Sequence, residues 1–311
     1  MGAIWTMGEL LVEIMRDKPD IGFASCGTFI GPFPSGAPAI FIDTVARLGH
    51  KAGMIGSVGE DDFGYCILNR LKCDGVDCRY IHKSAGTTGT AFVSYASDGS
   101  RKYLFHLNNT AAVQAKFEPI DISDNLSYFH IMGCSLMASD NFRGEIFAAA
   151  RWFQDQNAEI SFDPNIREEL LGGNTLHEVI DPILEQTSIL FSGAHELALI
   201  SDESEVERGV SKLFKNPRLK IIALKLGAKG CIIYTRKERI ILAPYLVVEK
   251  DPTGAGDCFD AAFLCGLLES RSLKDSAKIA SAAGALNAAA FGPMEGCISR
   301  DNVARITGLR L

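Results

Sequence analysis

Asp257 closes the run Asp251-Pro252-Thr253-Gly254-Ala255-Gly256-Asp257, and a largely apolar stretch, residues 261–268, follows it. Gly254 and Gly256 allow a tight turn whose N–H groups point outward. The stretch behind them reads as a buried helix. Unpaired N–H groups at a helix start, with the helix dipole behind them, suit an anion such as a phosphate. In that first turn the Asp257 carboxylate is placed to take the proton of a hydroxyl attacking the phosphate. An anion cradle beside a base is the least apparatus for phosphoryl transfer to an alcohol. The same run also suits a plain strand-to-helix turn, so other landmarks have to decide between the two.

The elements that would carry this turn can be read along the chain. Residues 4–14 read as one mostly buried strand, and residues 39–48 as a helix ending at Gly49. Alternation over 91–95 and 102–105, with Asp98-Gly99 between, predicts a β-hairpin. With strands near 12–33 it would form a small β lid. From about residue 127 the pattern becomes strand, helix, strand: 128–132, helix 141–156, then Glu159–Asp163, 188–191 and Ile221–Lys225. Such alternation implies a parallel sheet with helices on both faces, whose ligands bind at the carboxyl ends of the strands. Asp163, Glu196, Gly227 and Asp257 each fall just after an expected strand, along that edge. Neither a Walker-type Gly-x-x-x-x-Gly-Lys nor a Gly-x-Gly-x-x-Gly occurs.

Composition narrows the partners. A chain of 311 residues is long for one core and short for two full domains. Its net charge of −7 argues against nucleic acid or an anionic membrane, so a phosphate-bearing ligand has to be held by local features. The nine cysteines lack a Cys-x-x-Cys spacing. Most read as small buried hydrophobes, which points to a reducing cytoplasm. No signal-peptide pattern opens the chain, and no apolar run reaches the roughly 20 residues that span a bilayer.

The Asp251 to Asp257 run resembles the C-terminal motif of the ribokinase-like carbohydrate kinases, the phosphofructokinase-B type, and further family landmarks follow in order over most of the chain. The resemblance implies an α/β fold: a three-layer, parallel-sheet kinase domain over residues 1–311, with lid strands roughly within 12–35 and 90–107. It implies ATP and Mg²⁺ as cofactors, Asp257 as catalytic base, and Gly254, Ala255 and Gly256 as anion hole. Asp251 and Thr253 match positions that help bind a monovalent cation, K⁺, in many members. Lys225, Gly227 and Gly230 match a Lys-x-Gly-x-x-Gly loop that lies against the ATP phosphates and ribose; by itself the segment reads as a hairpin turn. Ser281 lies in a small-residue helix segment whose counterpart walls the adenine pocket, or that simply packs tightly. Glu196 matches the acid of an Asn-x-x-Glu motif that arranges Mg²⁺ and its waters, with Gly193 in place of the Asn; a solvated glutamate opening a helix is the plain alternative. Arg167 matches the Arg of Asp-x-Asn-x-Arg, which meets the transferred phosphate or an acidic sugar; a salt bridge to Glu168 or Glu169 is the alternative.

Ser35-Gly36-Ala37-Pro38-Ala39-Ile40 is similar to the family's sugar-binding loop, which places Gly36 and Ala37 beside the sugar. Two positions depart: Ser35 stands for a Gly, and Ile40 for an Asn that bonds a sugar hydroxyl. Glu13 stands where many members carry an Asp that grips two hydroxyls; an exposed acid at a strand end is the other reading. Sugar-acid kinases of the family carry a Tyr-Arg or Tyr-x-Arg pair after the lid hairpin. Residues 104–112 contain no arginine, and a buried carboxylate without a cation is costly. A neutral ketohexose, tagatose or fructose, is therefore expected ahead of ribose, a nucleoside, 2-keto-3-deoxygluconate or a sugar phosphate. His106 and Asn108 are available to donate to hydroxyls or to cap the lid. A catalytically silent sugar sensor of the same fold is the reading of a different class. A lid face around Phe92, Tyr95 and Phe105 would favour a homodimer.

Overall fold

A computed structural model describes residues 2–121 and 125–311. Its strands are β1 (Ala3–Met7), β2 (Leu11–Arg16), β3 (Phe29–Ser35), β4 (Lys51–Val58), β5 (Asp77–Lys83), β6 (Gly89–Tyr95), β7 (Arg101–His106), β8 (Leu126–Met132), β9 (Glu159–Asp163), β10 (Ile189–Gly193), β11 (Ile221–Lys225), β12 (Cys231–Tyr234) and β13 (Arg239–Leu242). The helices are α1 (Ala37–Arg47), α2 (Asp62–Cys73), α3 (Gly133–Ala138), α4 (Asp140–Asp155), α5 (Leu176–Leu184), α6 (Ala194–Ser201), α7 (Val206–Leu213), α8 (Ala255–Leu268), α9 (Leu273–Ala288) and α10 (Arg300–Thr307).

Among the described residues the main sheet has the order β13-β12-β11-β10-β9-β8-β1-β4-β5, parallel from β11 to β5, with β12 antiparallel to both its neighbours. Each parallel strand sends alternate residues to opposite faces. Ile4, Met54 and Phe191 join one core with α1, α8 and α9, while Trp5, Ile55 and Leu190 join another with α4, α5 and α6. The result is three layers, helix on sheet on helix. Helix α4 shows how a single element commits to its layer. Ser139 caps it by accepting from the Phe142 N–H, and Phe142, Ile146, Ala149, Ala150 and Phe153 form one buried stripe at helical spacing. Helix α8 is apolar nearly all round because α1, α9 and the sheet enclose it.

Residues 4–14 form two strands, not the single one expected. The chain leaves the main sheet after Met7, turns through Gly8, Glu9 and Leu10, and enters a second sheet, β3-β2-β6-β7, which is the lid. Both halves are buried, so hydrophobicity alone could not mark the break. Gly36 makes the crossing possible. Its φ is +106°, and a Cβ there would lie 2.5 Å from the Glu9 carbonyl oxygen. The cysteine expectation also needs correcting: Cys134, Cys231, Cys258 and Cys265 are buried, but Cys26, Cys73 and Cys297 are exposed. No helix among the described residues is long and apolar enough to cross a membrane.

Gly36→Ala should destabilise the protein by about 1–3 kcal/mol, through overpacking against the Glu9 carbonyl and a disfavoured φ. Urea unfolding at matched pH measures it.

Candidate active site

The carboxyl ends of β9, β10 and β11 lie side by side and bring Asp163, Glu196 and Gly227 to one edge of the sheet. Asp257 reaches the same edge by another route. It sits in the first turn of α8, preceded by residues 243–254 without regular strand, so its expected position just after a strand is corrected. Gly254, the residue before α8, has φ +79°, and a Cβ there would lie 2.4 Å from the Pro293 carbonyl oxygen. The N–H groups of Gly254, Gly256 and Asp257 make no hydrogen bond to the rest of the chain among the described residues. That of Ala255 donates to the Pro252 carbonyl at 3.2 Å, so three of the four expected donors stand open. Three open N–H groups at the head of a fourteen-residue helix suit an anion, in the place of the anion hole expected from the sequence.

Asp257 is 7% exposed, and burial pushes its carboxyl up to about 7, with Lys225 opposing. Asn165 donates from Nδ2 to its Oδ1 at 3.2 Å. Asn165 in turn is held by its own N–H, which donates to Asp163 Oδ1 at 3.0 Å. Lys225 lies beneath this group, its ammonium 2.6 Å from Asp163 Oδ2 and 3.0 Å from Asp260 Oδ1. Burial pushes Asp260 well up, whereas for Asp163 the effect of burial is outweighed by Lys225 and the net shift is downward. The Lys225 ammonium is thus shared by Asp163 and Asp260.

Two cavities meet at this point. One, of about 190 Å³, lies under the lid and is lined by Glu9, Glu13, Gly36, Ala37, Ile40, Arg101, Arg167, Glu196 and Asp257. The other, of about 230 Å³, runs along α9 and is lined by Gly227, Gly230, Tyr245, Val247, Ser281 and Gly284. Lys225, Pro252 and Gly256 line both. A group bound in either cavity therefore faces the anion hole, with Asp257 on the lid side.

Several residues resolve ambiguities of the sequence. Ser35 Oγ donates to Glu13 Oε1 at 2.8 Å, so the serine that departs from the family glycine orients Glu13. Glu13 is buried, not an exposed acid; its Oε2 has no partner, and burial pushes its carboxyl up to about 7. Glu196 Oε2 accepts from the Gly193 N–H at 2.8 Å and Oε1 from the Ile166 N–H at 3.0 Å, half of a capping box across the family's Asn position. Arg167 forms no ion pair with Glu168 or Glu169 among the described residues; its guanidinium lies 5.4 Å from the Tyr103 ring centroid. Ser281 lines the α9 cavity, its Oγ 3.6 Å from Cys231 Sγ. Asp251 and Thr253 are bonded to each other, Thr253 Oγ1 to Asp251 Oδ1 at 2.7 Å.

Arg101 corrects the charge expected at the lid. It precedes the arginine-free stretch, enters the lid cavity, and donates from Nη1 to Thr253 Oγ1 at 3.1 Å. With Arg167 it brings two guanidinium groups to the cavity. His106 and Asn108 do not line it. Glu9 and Asp260 are residues of this region that the sequence reading passed over, and Asn165 entered it only as the middle of the Asp-x-Asn-x-Arg motif. Glu9, buried, accepts from Ser135 Oγ and Cys134 Sγ. Its signal was Gly8, an interruption in the apolar run; that of Asp260 was an acid inside an apolar helix, which needs a partner.

Open N–H groups and a buried carboxylate at the head of a helix, set at the strand-end edge of an α/β sheet between two adjoining cavities, fit a phosphotransferase with an alcohol acceptor. Residues 32–300 match the pfkB family carbohydrate kinase, and the chain belongs to that family. Fructokinase-1 of Oryza sativa subsp. japonica is 30% identical over 294 residues, which cover 91% of this chain and 90% of that protein. A crystal structure of an E. coli protein provisionally called ribokinase II, in complex with ATP and Mg²⁺, shares 36% identity with a TM-score of 0.91, covering 99% of each chain. Fructokinase from Vibrio cholerae O395, with fructose, ADP and calcium bound, has the same fold at 23% identity and a TM-score of 0.86, covering 99% of each chain.

If Asp257 serves as the base expected from the sequence, a carboxyl raised to about 7 is protonated, and idle, below that pH, so the rate should climb with pH and level off above about 7–8. The same shift lets the folded state hold a proton that the unfolded state releases near 3.8, so Asp257 costs stability increasingly as pH rises from about 4 to 7. Asp257→Asn should therefore lower turnover by about 10²-fold or more while raising the melting temperature more at pH 8 than at pH 5. A pH–rate profile and thermal melts at both pH values check the pair.

Proposed function

We propose that this carbohydrate kinase transfers the γ-phosphoryl group of ATP to a primary hydroxyl of a neutral ketohexose, fructose or tagatose. The observation that carries the reading is the junction of the two cavities at Gly256, with Asp257 on the lid side and open N–H groups between them. The sugar lies under the lid, where Gly36 and Ala37 line the wall and the free Oε2 of Glu13 accepts from a hydroxyl. Asp257, oriented by Asn165, takes the proton of the attacking hydroxyl. The N–H groups of Gly254, Gly256 and Asp257 meet the charge that develops on the transferring oxygens, where most of the stabilisation in such a reaction resides. The nucleotide occupies the α9 cavity, along Gly227, Gly230 and Ser281. Glu196 is the residue to hold Mg²⁺ through its water shell, since each carboxylate oxygen keeps a second lone pair. That ion, when bound, neutralises phosphate charge. The named fructokinase relatives support the choice of sugar. A second reading, a sugar acid, is favoured by Arg101 and Arg167 together, since paired guanidinium groups suit a carboxylate.

For the assembly we propose a homodimer through the outer lid face. On β2, β6 and β7, Ile14, Phe92 and Leu104 are register partners on one face, and Phe29 packs edge-on to Phe92 at 5.4 Å. Tyr95 and Phe105 belong to the inner face, where Phe105 lines the cavity, so the face named from sequence is redrawn. Nine unpaired cysteines support a reducing compartment, the cytoplasm.

ADP release with Mg²⁺, measured over neutral ketoses, aldoses, nucleosides, sugar acids and sugar phosphates, tests the reaction. Turnover of fructose or tagatose, reduced by about 10²-fold or more in Asp257→Ala, is expected. Turnover of acids alone would replace the neutral sugar by the second reading. Silence on every sugar with ATP still bound would make the chain a sensor. Sedimentation at micromolar concentration should give a dimer that Leu104→Glu converts to monomer; a wild-type monomer rules the interface out.

A further inference from the structure

The inner face of the lid carries more than the cavity uses. Phe33 on β3 is the register partner of Glu13 on β2, and Tyr95 on β6 is that of Arg101 on β7, so each pair shares a face. Glu13 and Arg101 line the cavity, whereas Phe33 and Tyr95 stand outside it. Both rings meet instead a single residue of the body, Phe291, in the turn after α9. The centroids of Phe33 and Phe291 lie 5.9 Å apart with the rings edge-on. Those of Tyr95 and Phe291 lie 6.3 Å apart, with the rings tilted.

The body is shaped to receive these rings. Gly292 has φ +111°, and a Cβ there would lie 3.0 Å from Phe33 Cδ1 and Cε1, closer than ordinary contact. Its N–H donates to Asp251 Oδ2 at 3.0 Å, which joins the 291–292 turn to the loop before α8. Arg101 reaches that same loop from the lid, donating from Nη1 to Thr253 Oγ1 at 3.1 Å. The lid thus lands on two segments that are bonded to each other, with an aromatic contact outside the cavity and a polar one at its wall.

We propose that Phe291 is a positioning residue for the lid: its ring receives Phe33 and Tyr95, holds the lid down over the acceptor cavity, and so keeps Glu13, the cross-strand neighbour of Phe33, at its place in the wall. Two aromatic pairs are enough to shift an open–closed equilibrium about tenfold. A closed lid commits the bound substrate and excludes water. Phe291 lines neither cavity, so its loss weakens capture of the sugar and spares the chemical step. The effect on KM rests on the kinase reading above; the effect on the lid does not.

Amide hydrogen exchange in the ligand-free protein tests the lid directly. In Phe291→Ala, residues 251–257, on which the lid closes, should exchange about tenfold faster, while β8, β9 and β10 keep their wild-type rates. Phe33→Ala, a change within the lid itself, should have the same effect, and the two together should add little because both remove one contact. In ADP release, Phe291→Ala should raise KM for the sugar about tenfold, with kcat within about threefold and KM for ATP within about twofold of wild type. Wild-type exchange of residues 251–257 in both variants overturns the proposal. Faster exchange throughout the main sheet also overturns it, by making Phe291 a residue of general stability. A tenfold fall in kcat at unchanged KM for the sugar does the same. If exchange responds as expected but no sugar is turned over, the kinase reading fails and the lid contact stands.

Discussion

One half-buried ammonium holds the site together. Lys225, at the end of β11, is bonded to Asp163 at the end of β9 and to Asp260 in α8. Three elements distant in sequence thus converge on one positive charge. Phosphoryl transfer between two enclosed substrates needs acids away from water, and buried acids repel one another. A pair broken by loss of one partner leaves an uncompensated buried charge, at a cost of about 3–5 kcal/mol. From Lys225 a chain of contacts runs outward: Asp163 holds the Asn165 backbone, and the Asn165 amide holds Asp257. The position of Asp257 is inherited from the ammonium across two intervening residues.

The anion hole is braced independently and from behind. Asn287 and Asp251 tie residues 251–254 to the 292–296 loop, and that loop is itself anchored by Arg47 and Arg70, which donate to the Met294 and Gly296 carbonyls. Arg47 and Arg70 also flank the buried Asp43 of α1. The hole therefore rests on α1, α2 and α9 together. Preorganised donors need no rearrangement as charge develops, which is the advantage of such bracing over a flexible loop. Opposite it, the lid is joined to the sheet through Gly8 to Leu10 and to its own loop through Ser35 and Glu13, so one short crossing sets the reach of the acid into the cavity.

Much of this was legible in the residues. The β-strand, α-helix alternation from β8 onward carried the main sheet, because fully buried parallel strands and amphipathic helices leave distinct periods. Helix α4 and strands β9 and β11 fell within a residue of their expected bounds. The Asp251 to Asp257 run, Glu13 and Arg167 reached the site because motif residues carry their chemistry with them. The break between β1 and β2 was not legible, since both strands are buried and the period runs through Gly8. Arg101 was missed because a charged residue flanking a hairpin reads as solvent-facing until the lid is folded over the sheet.

Sequence alone determined the class of fold and singled out Asp257 and the turn before it as candidates, since these depend on local backbone freedom and on the order of strands and helices. Only the tertiary structure decided how those groups are held. It showed that Lys225 serves two acids, that Ser35 aims Glu13, that Arg101 bonds Thr253, and that Asn287 bonds the Thr253 carbonyl. Each of these contacts joins residues separated by 22 or more positions, so it depends on how elements pack and leaves no period or spacing to read.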